Sequence, residues 1–258
     1  MKKTLIEKTA DKLVNAFINN KIIAPLPTKF TKKLSEAQKL RKLCESKVKD
    51  PIIGFKAAGT GIPVMKKLKE KKPFYAAIFK KNFIKSGKKV KINNSTLGVE
   101  LEVCYLIKKN FFSSKGLITM KNITKHISHM AACIEVIGYR QKKKGITSFG
   151  DLCSDFGANV KFLIGQKKKY KRINIGNLKT NITNKKIGQS VSGNTNTVYI
   201  NPINSLRFVL NELKKDKVNL DKDFYVFTGS TVGVVPILGN GLYTGKVDKL
   251  GSAKAIIH

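Results

Sequence analysis

Ten consecutive residues, Gly98-Val99-Glu100-Leu101-Glu102-Val103-Cys104-Tyr105-Leu106-Ile107, constrain this chain more than any other stretch. A run so rich in β-branched and apolar side chains reads as a strand, and a strand points successive side chains to opposite faces. Val99, Leu101 and Val103 therefore share one face, while Glu100 and Glu102 project together from the other. Two carboxylates so placed repel and raise each other's pKa unless a positive group sits between them. A third acid, Glu135, interrupts a second apolar run, Ala131-Ala132-Cys133-Ile134-Glu135-Val136-Ile137. The chain holds only 16 acidic residues among 258, so three in apolar settings need a reason. Burying an unpaired carboxylate is costly, and protonation, a cationic partner or a metal relieves the cost. Two arrangements satisfy the pattern. One is a solvated sheet face salt-bridged to lysine; the other is an oxygen-only cluster holding Mg²⁺ or Mn²⁺, with positions left for water and substrate.

Around these strands, Leu5, Ile6, Ala10, Leu13, Val14, Phe17 and Ile18 recur at helical spacing and predict a helix over 5–20, stopped by Pro25 and Pro27. A second helix is predicted over Leu34 to Val48 with its cap near Thr31 or Ser35, and a third over Ile203 to Lys214 after Asn201-Pro202. Beyond Pro51 the texture turns to short strand-like runs, among them Val160 to Ile164, Asp223 to Phe227 and Ser252 to Ile257. There is no internal repeat. A helical front and a strand-rich body predict an α+β fold with a mostly antiparallel or mixed core.

Charge invites a different reading, because 51 Lys+Arg against 16 Asp+Glu give a formal +35. Only Arg41, Arg140, Arg172 and Arg207 are arginines, whereas nucleic-acid readers use Arg forks on phosphates and guanine edges as well as lysine. The lysines are spread in runs such as Lys66-Lys67, Lys80-Lys81, 142–144 and 167–169, alongside abundant Asn and Ile whose codons are rich in A and T. The charge is therefore expected to be a composition-driven solvated surface with no specific nucleic-acid partner. No apolar stretch approaches the ~20 residues of a membrane span, and the start lacks a secretory apolar region, so a soluble cytoplasmic protein is expected. Cys44, Cys104, Cys133 and Cys153 show no CxxC spacing, and Cys104 and Cys133 read as small buried hydrophobes. His126 and His129 have an i, i+3 spacing that grips a metal only from a helix and only with a third ligand beside it.

Three further residues or stretches stand out. Gly54 to Gly61 opens like a phosphate loop but lacks the Lys-Ser/Thr that completes one. Lys56, alone between Phe55 and Ala57, either binds an anionic substrate with a shifted pKa or lies along the surface with its head in water. Arg140, in a chain that otherwise uses lysine, hints at a need for bidentate geometry.

Taken in order, these segments resemble the 2-keto-4-pentenoate hydratase and 4-oxalocrotonate decarboxylase branch of the fumarylacetoacetate hydrolase superfamily. The resemblance covers nearly the whole chain. It runs from Ile23-Ala24-Pro25-Leu26 through a Lys56 turn, an E-x-E pair similar to Glu100-Leu101-Glu102, and a third acid similar to Glu135 ahead of Gly138-Tyr139-Arg140. It continues with Asp155, Ser192-Gly193, Asn201-Pro202, Phe227-Thr228-Gly229 and Leu250-Gly251-Ser252. The resemblance implies a helical N-terminal segment (1–50) packed on a layered, rolled mixed β-body (51–258), assembled as a homo-oligomer. It implies Mg²⁺ or Mn²⁺ on Glu100, Glu102 and Glu135, with Lys56 as catalytic base or anion holder. Arg140, Asp155, Ser192, Gly193 and Thr228 are the implied substrate-binding residues. The implied activity is that of a lyase on a small 2-oxo or 2-hydroxydienoate acid, with decarboxylation, C–C hydrolysis or a member without turnover as alternatives. The chain departs from the family at two places: Phe74 stands where the family carries an Asp, and Phe156-Gly157-Ala158 stands where it runs Asn-Ala-Ser.

Overall fold

The computed structural model describes residues 2–92, 96–142 and 145–258, so Lys143 and Lys144 of the 142–144 run lie outside the described residues. Its α-helices are α1 (Leu5–Asn19), α2 (Lys29–Lys32), α3 (Leu34–Lys47), α4 (Ile62–Lys67), α5 (Phe149–Ser154) and α6 (Pro202–Lys215). The first strands are β1 (Ile52–Ala58), β2 (Phe74–Phe79), β3 (Phe83–Lys85), β4 (Lys89–Val90), β5 (Thr96–Ile107), β6 (Ile127–Gly138), β7 (Asn159–Ile164) and β8 (Lys168–Lys169). Then come β9 (Lys179–Asn184), β10 (Gln189–Asn194), β11 (Phe224–Ser230), β12 (Val235–Pro236), β13 (Gly241–Val247) and β14 (Gly251–Ile257). None of the described helices is long and apolar enough to cross a membrane.

Local chemistry explains the helix ends. Thr4 and Glu7 form a reciprocal capping box at the start of α1, and Asn20 closes that helix in the left-handed region. Asn201 caps α6, with Pro202 in the first turn where its missing N–H costs nothing. The cap expected near Thr31 or Ser35 is instead Lys33, which makes no side-chain bond. Thr31 is already inside the short α2 turn, and Ser35 lies within the first turn of α3.

The larger sheet runs in the order β2-β1-β11-β5-β6-β7-β3, with β12 added beside β5 and β8 beside β6. It is mixed, because β1 runs parallel to β11 and β3 parallel to β7 while the other pairs are antiparallel. The strands at its two ends, β2 and β3, are separated in the chain only by Lys80–Asn82, so the sheet must curl until its edges meet. Asn159 of β7 donates to the Ala77 carbonyl of β2 at 2.8 Å, and Asn82 donates to the Val160 carbonyl at 2.7 Å, stitching the seam. The result is a nearly closed barrel.

Its outside is covered on two sides. Helices α1, α3 and α6 place Leu13, Phe17, Leu40, Leu206 and Leu210 against Phe55, Tyr75, Phe79, Leu101 and Val103. The smaller sheet, β10-β9-β13-β14-β4, lays Tyr243, Ala253, Ala255 and Ile257 on Val99, Ile134, Val136 and Leu163. One end of the barrel interior is filled by Ile78, Cys104, Cys133, Phe162, Ile164 and Phe227. The other end is not apolar.

Candidate metal centre

Barrel strands alternate inward and outward residues, so the side chains two positions along from the apolar plug also point inward. On β5 these are Glu102 and Glu100 beyond Cys104, and on β6 Glu135 beyond Cys133. Glu100 lies opposite Glu135 in register and Glu102 lies opposite Cys133. The three carboxylates each offer an oxygen within 4.8 Å of the others, the one such acid, histidine or cysteine group among the described residues. Glu102 and Glu135 are fully buried, while Glu100 is half-buried and reaches a cavity of about 410 Å³.

Lys56 enters from β1 rather than from a turn; Gly54 lies within that strand, which is paired on both sides, and Gly59 and Gly61 follow it. It is buried, its Nζ 2.6 Å from Glu135 Oε1 and 3.2 Å from the Gly157 carbonyl oxygen. That carbonyl is aimed by a backbone turn in which Phe156, Gly157 and Ala158 have φ of 52°, 65° and 63°, a left-handed run that disfavours side chains. The turn is held by Phe156 stacking on Phe17 of α1 at 4.2 Å. Gly229 is the second special glycine. Its φ is 106°, an added Cβ would overlap Thr60, and its N–H donates to Glu102 Oε2 at 2.8 Å.

Burial pushes all three carboxyls up, against the pull of the Lys56 ammonium: Glu102 to about 8, Glu135 well above the carboxylate range, and Glu100 in the same direction. Burial alone would lower Lys56, but Glu135, Glu100 and Glu102 together outweigh it and keep its pKa above the ordinary value. Glu102 Oε1 and Glu135 Oε2 are buried with no hydrogen-bond partner. Buried acceptors are almost always paired, and a cation bound by the three carboxylates would pair both oxygens. A divalent ion fits: three carboxylates, one ammonium and a 2+ charge sum to zero, and the all-oxygen donor set suits Mg²⁺ or Mn²⁺.

The remaining sequence-predicted residues separate into two groups. Ser192 and Gly193 line the cavity from β10. Arg140 and Asp155 do not line it: the Arg140 guanidinium donates to Asp155 Oδ1 at 3.0 Å and the Arg140 N–H donates to Asp155 Oδ2 at 2.7 Å. One guanidinium nitrogen and the backbone N–H share that carboxylate, so Arg140 makes no side-chain fork, and the pair lies inside the protein beside the Phe156–Ala158 turn. Thr228 is also buried behind the wall, its hydroxyl donating to the Val103 carbonyl at 2.8 Å. Phe74 packs edge-on against Phe149, and Ala158 lines the cavity. His126 sits in a 3-10 turn and His129 on β6, so their spacing does not make a helical metal grip. Sequence reasoning missed the Gly157 carbonyl, the Gly229 N–H as a carboxylate donor, and the wall residues Tyr139 and Leu152. A backbone donor or acceptor leaves no residue-type signal.

No protein-family model and no curated protein matches the chain by sequence. Solved structures do match. The 4-oxalocrotonate decarboxylase from Pseudomonas putida G7, complexed with magnesium and adipate, is 17% identical with a TM-score of 0.86, covering 100% of this chain and 99% of that one. The chain has the fumarylacetoacetate hydrolase-like fold of its structural neighbours. Fumarylpyruvate hydrolase from Pseudomonas aeruginosa, in complex with Mn²⁺ and pyruvate, shows that fold at 12% identity and TM-score 0.59, over 81% of this chain and 90% of that one. Fumarylacetoacetate hydrolase from Exiguobacterium antarcticum does so at 12% and 0.57, over 81% and 75%. Across these fumarylacetoacetate hydrolase-like structures, the decarboxylase shares the architecture from end to end.

Proposed function

We propose that this chain is a divalent-metal-dependent lyase, 2-keto-4-pentenoate hydratase-like, acting on a small 2-oxo or 2-hydroxydienoate acid. The observation that carries the reading is the clustered triad Glu100, Glu102 and Glu135, with two unpartnered oxygens beside a lysine at the floor of a cavity. Those three residues would hold Mg²⁺ or Mn²⁺, which would supply Lewis-acid stabilisation of the enolate-like charge that develops when such an acid is deprotonated, hydrated or decarboxylated. The complexes of the two structural neighbours with Mg²⁺ and adipate and with Mn²⁺ and pyruvate support the same pairing of metal and organic acid.

The chain's own groups do the rest. Lys56, kept as an ammonium by its carboxylate neighbours, holds the anionic substrate and is a proton donor rather than a resting base. Gly229 fixes the orientation of Glu102 through its N–H, and Gly157 fixes Lys56 through its carbonyl. Ser192 offers a hydroxyl at the cavity wall, where its Oγ accepts from Asn181 at 3.0 Å. The net charge of +35 draws anionic acids toward the molecule, so association slows as salt is raised. Homo-oligomeric assembly belongs to the same proposal, and light scattering that finds a monomer removes that part.

The test is turnover of a panel of 2-oxo and 2-hydroxydienoate acids with Mg²⁺ or Mn²⁺, repeated in EDTA. Activity that persists in EDTA sinks the mechanism. Decarboxylation is the second reading, favoured by the end-to-end match to a decarboxylase; release of CO₂ in place of a hydrated product selects it.

A further inference from the structure

The cavity is ionic only at its floor. Among the described residues that line it, Lys56 is the one cation, and its ammonium is already engaged by Glu135 and the Gly157 carbonyl. Several lining hydroxyls are turned inward as well: Thr197 donates to the Asn194 carbonyl at 2.8 Å, Ser230 to Gly233 at 2.7 Å and Thr231 to Leu101 at 2.8 Å. The rest is largely hydrocarbon. Ile137, Tyr139, Ala158 and Leu152 pack into a single apolar cluster, and all four face the cavity. Val64, Ile146 and Val234 line it too and reach solvent at its rim, exposed by 43%, 37% and 48%.

The order along β6 gives this wall a direction. Cys133, Glu135 and Ile137 point to the same side, so the path runs from apolar plug to carboxylate to apolar wall. Two strand residues span roughly 7 Å, which places Ile137 where the fourth and later carbons of an acid held head-first at the carboxylates would lie. A second carboxylate at that depth would lose its hydration and meet no cation, a penalty that methylene groups avoid.

We propose that the substrate carries an uncharged hydrocarbon tail, and that Ile137, Leu152 and Ala158 select it against dicarboxylates. The inference rests on the 2-oxo acid reading for the head of the ligand, while the tail compartment stands on the wall residues themselves. Calorimetry on the Mn²⁺-loaded protein with pyruvate, 2-oxohexanoate and 2-oxoadipate reads it directly. Each buried methylene strengthens binding roughly fourfold, so 2-oxohexanoate binds more than about tenfold tighter than pyruvate. The charged tail of 2-oxoadipate binds more than about tenfold weaker than 2-oxohexanoate. Equal or tighter binding of 2-oxoadipate overturns the inference. Val64→Lys, at an exposed rim position, shifts the ratio back toward 2-oxoadipate; an unchanged ratio counts against the wall as the selector. If none of the three acids binds, the 2-oxo acid reading has failed, and 1-hexanol then tests the compartment without a metal. Saturable shifts of the Ile137 and Leu152 methyl signals support it, and their absence overturns it.

Discussion

The two ends of the barrel interior are built by the same strands and differ in nearly everything else. At one end Cys104, Cys133, Phe162 and Phe227 pack together, the Cys133 thiol donating to the Glu102 carbonyl at 3.3 Å and Phe162 and Phe227 edge-to-face at 4.8 Å. Two residues further along β5 and β6, the same inward direction carries Glu102 and Glu135, buried and short of hydrogen bonds. The plugged end stabilises the fold by burial and dispersion. The carboxylate end opposes folding until a cation arrives, which is how functional sites commonly differ from cores. Substitutions at the two ends should therefore move stability and metal binding in separable ways.

The largest expected effect is at the carboxylate end. Glu102→Gln should lower Mn²⁺ affinity by more than about 100-fold, since loss even of a supporting group costs metal sites 10–100-fold. The same change should leave the metal-free protein as stable or more stable, because burial beside Glu100 already disfavours the ionised form of Glu102 and a neutral amide avoids that cost. Calorimetric titration and denaturant unfolding measure the two halves of that statement, and unaltered Mn²⁺ binding would break the comparison. Next is the plug: Phe227→Ala should cost about 3–5 kcal/mol in denaturant unfolding while a folded fraction still binds Mn²⁺ with unchanged stoichiometry.

A pH series sharpens the contrast further. Glu102 titrates at about 8 in the folded chain against an ordinary value of 4.5, so the folded state holds more protons than the unfolded state between those limits. Stability of the metal-free protein should then fall as pH rises between about pH 5 and about pH 8, by several degrees of melting temperature. Saturating Mg²⁺ should reverse that slope, because it binds the deprotonated triad of the folded state. A flat profile without metal would mean that the carboxyls are paired in some other way. The smallest effect belongs to the turn beneath Lys56. Ala158→Gly removes a side chain from φ of 63° and should raise stability by about 1 kcal/mol or less, measured by thermal unfolding.

The parts of this site readable in the sequence were those where a residue type contradicts its surroundings. Glu100, Glu102 and Glu135 sit inside apolar strand runs, and that conflict of charge and setting left two arrangements open, a solvated sheet face or an oxygen cluster, of which the structure shows the three carboxylates brought together. The helices were legible for the opposite reason, because α1, α3 and α6 alternate faces as a surface helix must. Strand β2 gave no period to read. Phe74 to Phe79 is buried on both faces, and such a run has no polar alternation. The outer strands β9 and β10 failed differently, since Asn, Thr, Ser and Gly dominate them and their β character comes from pairing rather than propensity. Arg140 and Asp155 show the limit of a residue list: both are buried near the turn that orients Lys56, yet they bind each other.

Strand β11 sits between β1 and β5, joining Phe55 to Val226 across the length of the chain. The barrel is therefore a late event in folding. Until the segment near residue 226 exists and docks, Glu102 lacks the Gly229 donor and β1 lacks its parallel neighbour. Contacts of such long sequence separation form slowly, because loop-closure entropy must be overcome before they stabilise anything. A nascent or C-terminally truncated chain would present its three carboxylates on an unfinished sheet with an open edge, exposed to water and to neighbouring chains. Tight metal capture thus becomes a report that the segment through Gly229 has been made and has docked.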